Sequence, residues 1–592
     1  MNLLIVLDDT KYTKSWDKYD LILCEKKTQQ ISSDKQFTFD SFQPERSEIL
    51  EMYDSQYNAF LKLIPIAYID IFESNRSTAF HGLIVDVYSR LLAVSDVITK
   101  FNITEVTCDC YVYTRNYIPF YEAFGEINLK LLFKNSDFLS SLIKDICNDK
   151  GIKFSYLKEG SKFILNLKIF GRRYCLLLIK LLLSIKAYLF LKKFSINRID
   201  LDENKPQFYI SVRSTVHSEF LLPFVQKYAP NCLIVVGERQ FAYGENRNFW
   251  ERNFNFNVFP EGFFFRIGDF FSVFCKIIVL IFWDSRRFKK AVKSFEINFG
   301  SFKIKPYNLL PEFCIAYFEQ YLHFQSIKRF LEYTNANNGI VISTEQLTTY
   351  PYWLSKAARE RQLKSLQIQT TLLNPLEHAD FVRADKFLFY DEGLLQAFSI
   401  KNPLLKHKFD YWGFLKTNDT GLSNKNKTLN KIIYFTQPYE YESEDEIITF
   451  IIQMEKEFGF RLLIKLHPRD QFSRFKKFAE RILSKDVSMN TMRDQFDLAI
   501  TRTSTIGLDC FINDLPVIFC VMSETGKKIS ATFLDKQYLG YISSFEGIKG
   551  LFANYNDFLN YFYKYNDTFK KKNNLIFDRE KFDEKVKMFM AS

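Results

Sequence analysis

Short runs of consecutive apolar residues, each closed by polar or turn-forming residues, recur along the chain and alternate with stretches of helical periodicity. MNLLIVLDD opens the chain as a buried strand, a helical region follows over 52–100, and ITEVTCDCYVY (103–113) is the next strand and its outgoing loop. QFYISVRSTVHSEFLLPFVQKYAPNCLIVVGE (207–238) is a strand–helix–strand unit. NNGIVISTEQ, LKSLQIQTT, ADKFLFYDEG and FDYWGF continue the strand series, with WLSKAARERQ as a helix among them. Strands are then predicted at 432–436, 462–466, 498–501 and 517–521, with helices between. Runs apolar at every position suit strands covered on both faces, and the intervening helices supply the cover, which predicts α/β architecture with parallel, doubly wound sheets. The polar, Asn-rich stretch TNDTGLSNKNKTLN (417–430) is the best linker. It divides the chain into two Rossmann-like domains, 1–416 and 431–570, with a tail helix over 571–592.

Two segments break this alternation. YCLLLIKLLLSIKAYLF (174–190) lies between Arg172, Arg173 and Lys192, Lys193; FFSVFCKIIVLIFW (270–283) runs into DSRRFKK. A bilayer span takes about 20 apolar residues, usually without charges. Both segments are shorter and carry lysines inside, Lys180 and Lys186 in one and Lys276 in the other. Buried helices with lysines reaching the rim are one reading. The basic clusters flanking aromatic stripes favour the other, amphipathic helices near 172–193 and 263–290 lying in a membrane interface.

Composition narrows the class. Over 592 residues, 47% hydrophobic and 25% charged residues are globular, and the length calls for more than one core. A net charge of +11 is mild at this length, and no zinc-finger or RNA-binding motif accompanies it, so nucleic acid is not an expected partner. The ten cysteines are scattered, with Cys108 and Cys110 the one close pair and no CxxC, which fits reduced thiols. The N-terminus has no basic n-region and reads as a strand instead of a signal peptide. The expected location is cytoplasmic, peripheral to the inner membrane.

Candidate chemistry gathers at the C-terminal ends of the predicted strands of the second domain, where open α/β sheets place ligands. Lys465-Leu466-His467-Pro468-Arg469 closes one strand. A histidine there can donate to a phosphate oxygen or protonate a departing phosphate, and Lys465 or Arg469 can balance its charge. A plain surface His-Pro turn is the bland alternative. Arg502-Thr503-Ser504-Thr505 opens a predicted helix, where hydroxyls and free N–H groups hold an anion, or where Ser504 or Thr505 simply caps the helix. Thr436 and Gln437 end the first strand of the domain. Glu345, at the head of a helix after VIST, is a candidate general base, and Asp391-Glu392, ending another strand, can cap the following helix LLQAF.

His467-Pro468 followed by Ser504-Thr505 resembles the motif pair of bacterial surface-polysaccharide glycosyltransferases: polysialyltransferases, capsule Kdo transferases and "surface carbohydrate biosynthesis" proteins. The likeness covers roughly 340–525. It implies a GT-B fold, two Rossmann-like domains facing across a cleft, here with amphipathic helical insertions in the first. In the sialyl- and Kdo-transferring members the two motifs bind the cytidine monophosphate of the donor, and an acidic pair before glycine, matched by Asp391-Glu392-Gly393, supplies the base. By resemblance the partners are a nucleotide sugar, best a CMP-linked nonulosonic acid or Kdo, and a glycan or lipid-linked acceptor such as O-antigen or capsule. No cofactor or metal is expected, because His467, basic residues and a helix N-terminus can carry the phosphate charge. CDP-alditol phosphotransferases carry similar motifs. A CDP-alditol donor, a non-catalytic scaffold of this fold and an epimerase of UDP-sugars stay as alternatives.

Overall fold

In the computed structural model the described residues form three large parallel sheets, two small antiparallel strand pairs and the helices around them. Outside the description lie chiefly 114–134, most of 158–206, 238–249, 252–257, 371–380, 414–427 and 528–537, with shorter loop stretches that include 345–348, 390–391, 468–469 and 505. By contacts the chain divides into two compact units: Met1–Ser218, Tyr228–Gln367 and Leu376–Lys386 form one; Glu219–Lys227, Ile368–Pro375 and Phe387–Ser592 form the other. The second unit thus takes in chain well ahead of the Asn-rich stretch.

The first sheet holds β1 (Asn2–Ile5), β2 (Leu21–Cys24), β3 (Gln36–Thr38), β4 (Glu105–Cys108) and β5 (Lys153–Tyr156), in the order β3-β2-β1-β4-β5. Each of its strand pairs is parallel. Leu3 and Ile5 join one cluster of buried side chains, with Tyr53, Tyr57 and Phe72, and Leu4 and Val6 join another, with Trp16. A strand covered on both faces has no polar alternation, which is why the opening run is apolar throughout. Helices α1 (His81–Lys100) and α2 (Phe138–Asp149) belong to this layer.

The second sheet holds β6 (Phe208–Val212), β7 (Cys232–Val236), β8 (Val258–Pro260), β9 (Ile340–Ser343), β10 (Lys364–Ile368), β11 (Lys386–Phe389) and β12 (Phe409–Tyr411), ordered β8-β7-β6-β9-β10-β11-β12. The range 1–416, read from sequence as one Rossmann-like domain, therefore contains two separate sheets. Helices α3 (Ile267–Val279), α4 (Ser285–Ser294), α5 (Leu310–Glu332), α6 (Tyr350–Glu360) and α7 (Glu392–Lys401) go with the second.

The third sheet holds β13 (Lys431–Phe435), β14 (Arg461–Lys465), β15 (Leu498–Thr501), β16 (Val517–Cys520) and β17 (Tyr541–Ile542), each within a residue of its predicted place except β17, which the sequence reading lacks. Its order is β14-β13-β15-β16-β17, all parallel. Chain order reverses between β13 and β15, and that reversal opens a crevice at the carboxyl ends of the two strands. Helices α8 (Glu444–Phe458), α9 (Ile506–Ile512), α10 (Phe545–Ala553), α11 (Tyr555–Lys572) and α12 (Arg579–Ala591) complete the second unit. Helix α12 sets Phe582 and Phe589 edge-on to the buried Trp412.

Candidate functional site at the switch point of the third sheet

The crevice between β13 and β15 is where the sequence motifs converge. Thr436, the first residue past β13, receives a hydrogen bond from the His467 backbone N–H at 2.8 Å and donates its own hydroxyl proton to Asp470. Its N–H donates to the Lys465 carbonyl at 3.1 Å, and the Asp470 N–H donates to the His467 carbonyl at 2.8 Å. The His467 turn is therefore pinned from both sides, by a hydroxyl on the neighbouring strand and by its own closing bond. Thr436 is 2% exposed and spends its hydroxyl on this turn.

Gln437 links that turn to the other motif. Its side-chain oxygen accepts the Thr503 N–H at 3.0 Å, and its backbone carbonyl accepts from the Arg502 guanidinium at 2.8 Å and from Arg474 at 3.2 Å. Its own N–H donates to Glu444, the first residue of α8, at 2.9 Å. Two hydrogen bonds, His467 to Thr436 and Thr503 to Gln437, thus join the His-Pro turn and the Ser/Thr loop through consecutive residues of one strand end.

Beneath this lies a charge cluster. Glu444 sits 3.3 Å from the Arg502 Nε and 3.2 Å from Arg474, and Arg474 also reaches Asp470 at 3.2 Å. Two carboxylates and two guanidiniums balance. Glu444 and Arg502 are withdrawn from solvent almost completely. Burial pushes the Glu444 pKa up to about 7, against the opposing pull of Arg502, the Gln437 N–H and Arg474 and with a smaller push from Asp470.

Of the residues picked from sequence, Thr436, Gln437, Arg502 and Thr503 are buried, and Arg502 and Thr503 both bond to Gln437. Arg502 and Thr503 thereby hold the strand ends in place. Lys465, His467 and Ser504 are half-buried at the same edge. Ser504 lies two residues ahead of α9: its Oγ accepts the Ile506 N–H at 3.4 Å and its carbonyl accepts the Gly507 N–H at 3.0 Å. Glu392 is exposed in the first turn of α7, where a carboxylate complements the helix dipole. Glu345, Asp391, Pro468, Arg469 and Thr505 lie outside the described residues.

Glu444, Asp470 and Arg474 were not picked from sequence. Asp470 and Arg474 carry a legible sign, acid and base at i,i+4 just after the His-Pro turn. Glu444 carries none, because it stands among other acids at a helix start and only its burial sets it apart from exposed Glu446.

Gly507 sets how closely α9 lies on the sheet. A Cβ there would overlap the Phe519 ring, and Phe519 is itself buried and stacked on Phe511. Gly507→Ala is expected to cost about 1–3 kcal/mol through overpacking. Chemical unfolding of the variant would show this as a lowered midpoint; an unchanged midpoint would mean that α9 can ride outward at no cost.

A cavity of about 550 Å³ opens at the other end of this sheet, lined by Asn430, Gly459, Phe552 and Tyr555 among others. It lies by the amino ends of β13 and β14, away from the edge where such sheets place ligands.

No family model and no curated protein matches the chain. Among solved structures it is similar to MurG of Acinetobacter baumannii (10% identity, 65% of this chain and 100% of that one, TM-score 0.36) and to UGT89C1 of Arabidopsis thaliana (10%, 65% and 100%, TM-score 0.41). A third similar structure is that of accessory secretory protein 1, 2 and 3 of Streptococcus pneumoniae (12% identity, TM-score 0.32), where the match takes in 50% of this chain and spans only 61% of that one.

Proposed function

We propose that the chain is a glycosyltransferase of a cell-surface glycan that holds its nucleotide-sugar donor at the β13–β15 switch point. The observation that supports this most is the pair of hydrogen bonds tying the His467 turn to the loop before Ser504. Side chains from two motifs are held at one strand-end crevice, as a phosphate-binding edge requires. His467 and Lys465 supply positive or proton-donating groups, and Ser504 supplies a hydroxyl. In the reaction an acceptor hydroxyl attacks the anomeric carbon of the donor as the bond to the nucleotide phosphate breaks. The acceptor proton passes to a carboxylate, for which Glu345 and the Asp391–Glu392 pair are the candidates. His467 and its neighbours stabilise the leaving phosphate, where preorganised donors act most strongly.

The favoured donor is a CMP-linked nonulosonic acid or Kdo, and the favoured acceptor a glycan or lipid-linked sugar. A thermal-shift series with CMP, CDP, UMP, UDP, GDP and dTDP tests the donor. A nucleotide at a hundred times its dissociation constant stabilises the fold by about 2.7 kcal/mol. Selective stabilisation by CMP, lost in His467→Ala, is the expected result. Stabilisation by CDP or UDP alone overturns the CMP donor and keeps the switch-point site; no response to any nucleotide overturns the site itself.

A further inference from the structure

Helices α3 and α4 are joined through a π-turn at Leu280–Asp284 and form one continuous rod. Its inner face is Phe270, Val273, Ile277, Leu280, Ser285, Phe288 and Ala291, all buried. The steps are three or four residues long except at Leu280 to Ser285, where the π-turn inserts one more. That extra residue resets the helical phase, so the outer face continues unbroken from α3 into α4.

The outer face is apolar and then cationic. Ile267, Phe271, Phe274, Phe282 and Trp283 are all exposed, Phe271 at 66%, Phe282 at 72% and Trp283 at 74%. Arg286, Arg287 and Lys290 continue it into solvent. From Arg266 to Ser294 the sequence has two acids, Asp269 and Asp284. Both are engaged: Asp269 is buried and takes a two-pronged ion pair from Arg329 of α5, and Asp284 accepts the Tyr68 hydroxyl at 2.7 Å. Lys276 lies to the flank, bonded to the Tyr321 hydroxyl at 2.7 Å. Among the described residues of the other basic segment, Leu178, Ile179, Leu182 and Ile185 recur at helical spacing and are exposed too.

We propose that the outer face of α3–α4 docks on an anionic lipid bilayer, with Phe271, Phe274, Phe282 and Trp283 seated among the upper acyl chains and Arg286, Arg287 and Lys290 at the headgroups. The charge pattern selects this partner. An aromatic stripe that grades into cations, with its acids paired away from it, complements a surface that is apolar below and negative above. The rod lies in the interface and does not cross it, since no described helix is long and apolar enough to span. The proposal is independent of the nucleotide site.

The five tryptophans make it readable. Trp16, Trp250, Trp353 and Trp412 are buried, so the solvent-sensitive fluorescence belongs to Trp283. The test adds the full chain to phosphatidylcholine vesicles with and without phosphatidylglycerol, following flotation, the emission maximum and quenching by brominated acyl chains. Expected are flotation with the anionic vesicles, a blue shift and quenching, with both optical signals lost in Trp283→Phe. Arg286→Gln combined with Arg287→Gln should weaken partitioning by on the order of 30-fold, given about a fivefold gain per cation at such a surface. Equal binding to neutral vesicles, or flotation without quenching, overturns the proposal. So does a Trp283 already blue-shifted and shielded from aqueous quenchers without lipid, which would mean that protein covers the face.

Discussion

Arg502→Met is expected to destabilise the second unit by about 3–5 kcal/mol when measured well above the Glu444 pKa. The guanidinium is fully buried, 3.3 Å from the Glu444 carboxylate and bonded to the Gln437 carbonyl. Methionine fills similar volume but leaves Glu444 facing Arg474 alone at the solvent side. A buried carboxylate that loses its counter-charge responds by taking a proton, so the loss should shrink as the pH falls. Equilibrium urea unfolding measures the change. Adding Glu444→Gln to the variant should restore most of the loss, because the amide oxygen keeps the bond from the Gln437 N–H without the charge. A loss undiminished in that background would show that Arg502 acts by packing and not through Glu444. Arg502 and Gln437 also fix the loop before Ser504, so Arg502→Met should weaken nucleotide binding even at temperatures where the unit stays folded.

The second large effect is a pH dependence. The folded-state pKa of Glu444 is raised from the ordinary 4.5 to about 7, so between those values the native state binds a proton that the unfolded chain has released. The sign follows directly. The contribution is fully present below pH 4.5, declines as the pH rises, and is gone above about 7. The shift corresponds to about 3 kcal/mol. Other groups titrate across the same range, so the quantity to measure is the stability difference between the protein and Glu444→Gln. That difference should move against the protein by about this amount between the two ends of the window. Parallel stability curves would show that Glu444 titrates as an ordinary surface carboxyl, with its burial relieved by local opening. Arg474 sits between Glu444 and Asp470, so Arg474→Ala should push the same titration further upward.

These effects concern residues that the sequence makes only partly legible. His467, Ser504, Thr436, Gln437 and Arg502 stand out because each follows an apolar run, and the ends of such runs are ligand edges in a parallel sheet. That logic finds the place and not the division of labour. It places Arg502 in an anion-holding loop, and the fold turns the Arg502 guanidinium inward onto Glu444 and Gln437. It treats Thr436 as a ligand group, whereas the hydroxyl holds the His467 turn. The basic segment at 263–290 follows the same pattern. Its sequence shows apolar, aromatic and cationic residues without saying which face is buried, and the π-turn that aligns the outer face leaves no sign in residue type.

What the sequence by itself determined was local. Unbroken apolar runs marked strands covered on both faces, and the four predicted strands of the C-terminal part fall within a residue of β13 to β16. Run length and flanking turn residues carry that information without help from distant chain. What only the tertiary structure decided was long-range: that the residues before 416 build two large parallel sheets, that the third large sheet is ordered β14-β13-β15-β16-β17, and that Glu444, Asp470, Arg474 and Arg502 meet beneath one crevice. The physical reason is that strand order and charge pairing are set by which surfaces bury each other. That choice depends on all the partners at once, and no single segment records it.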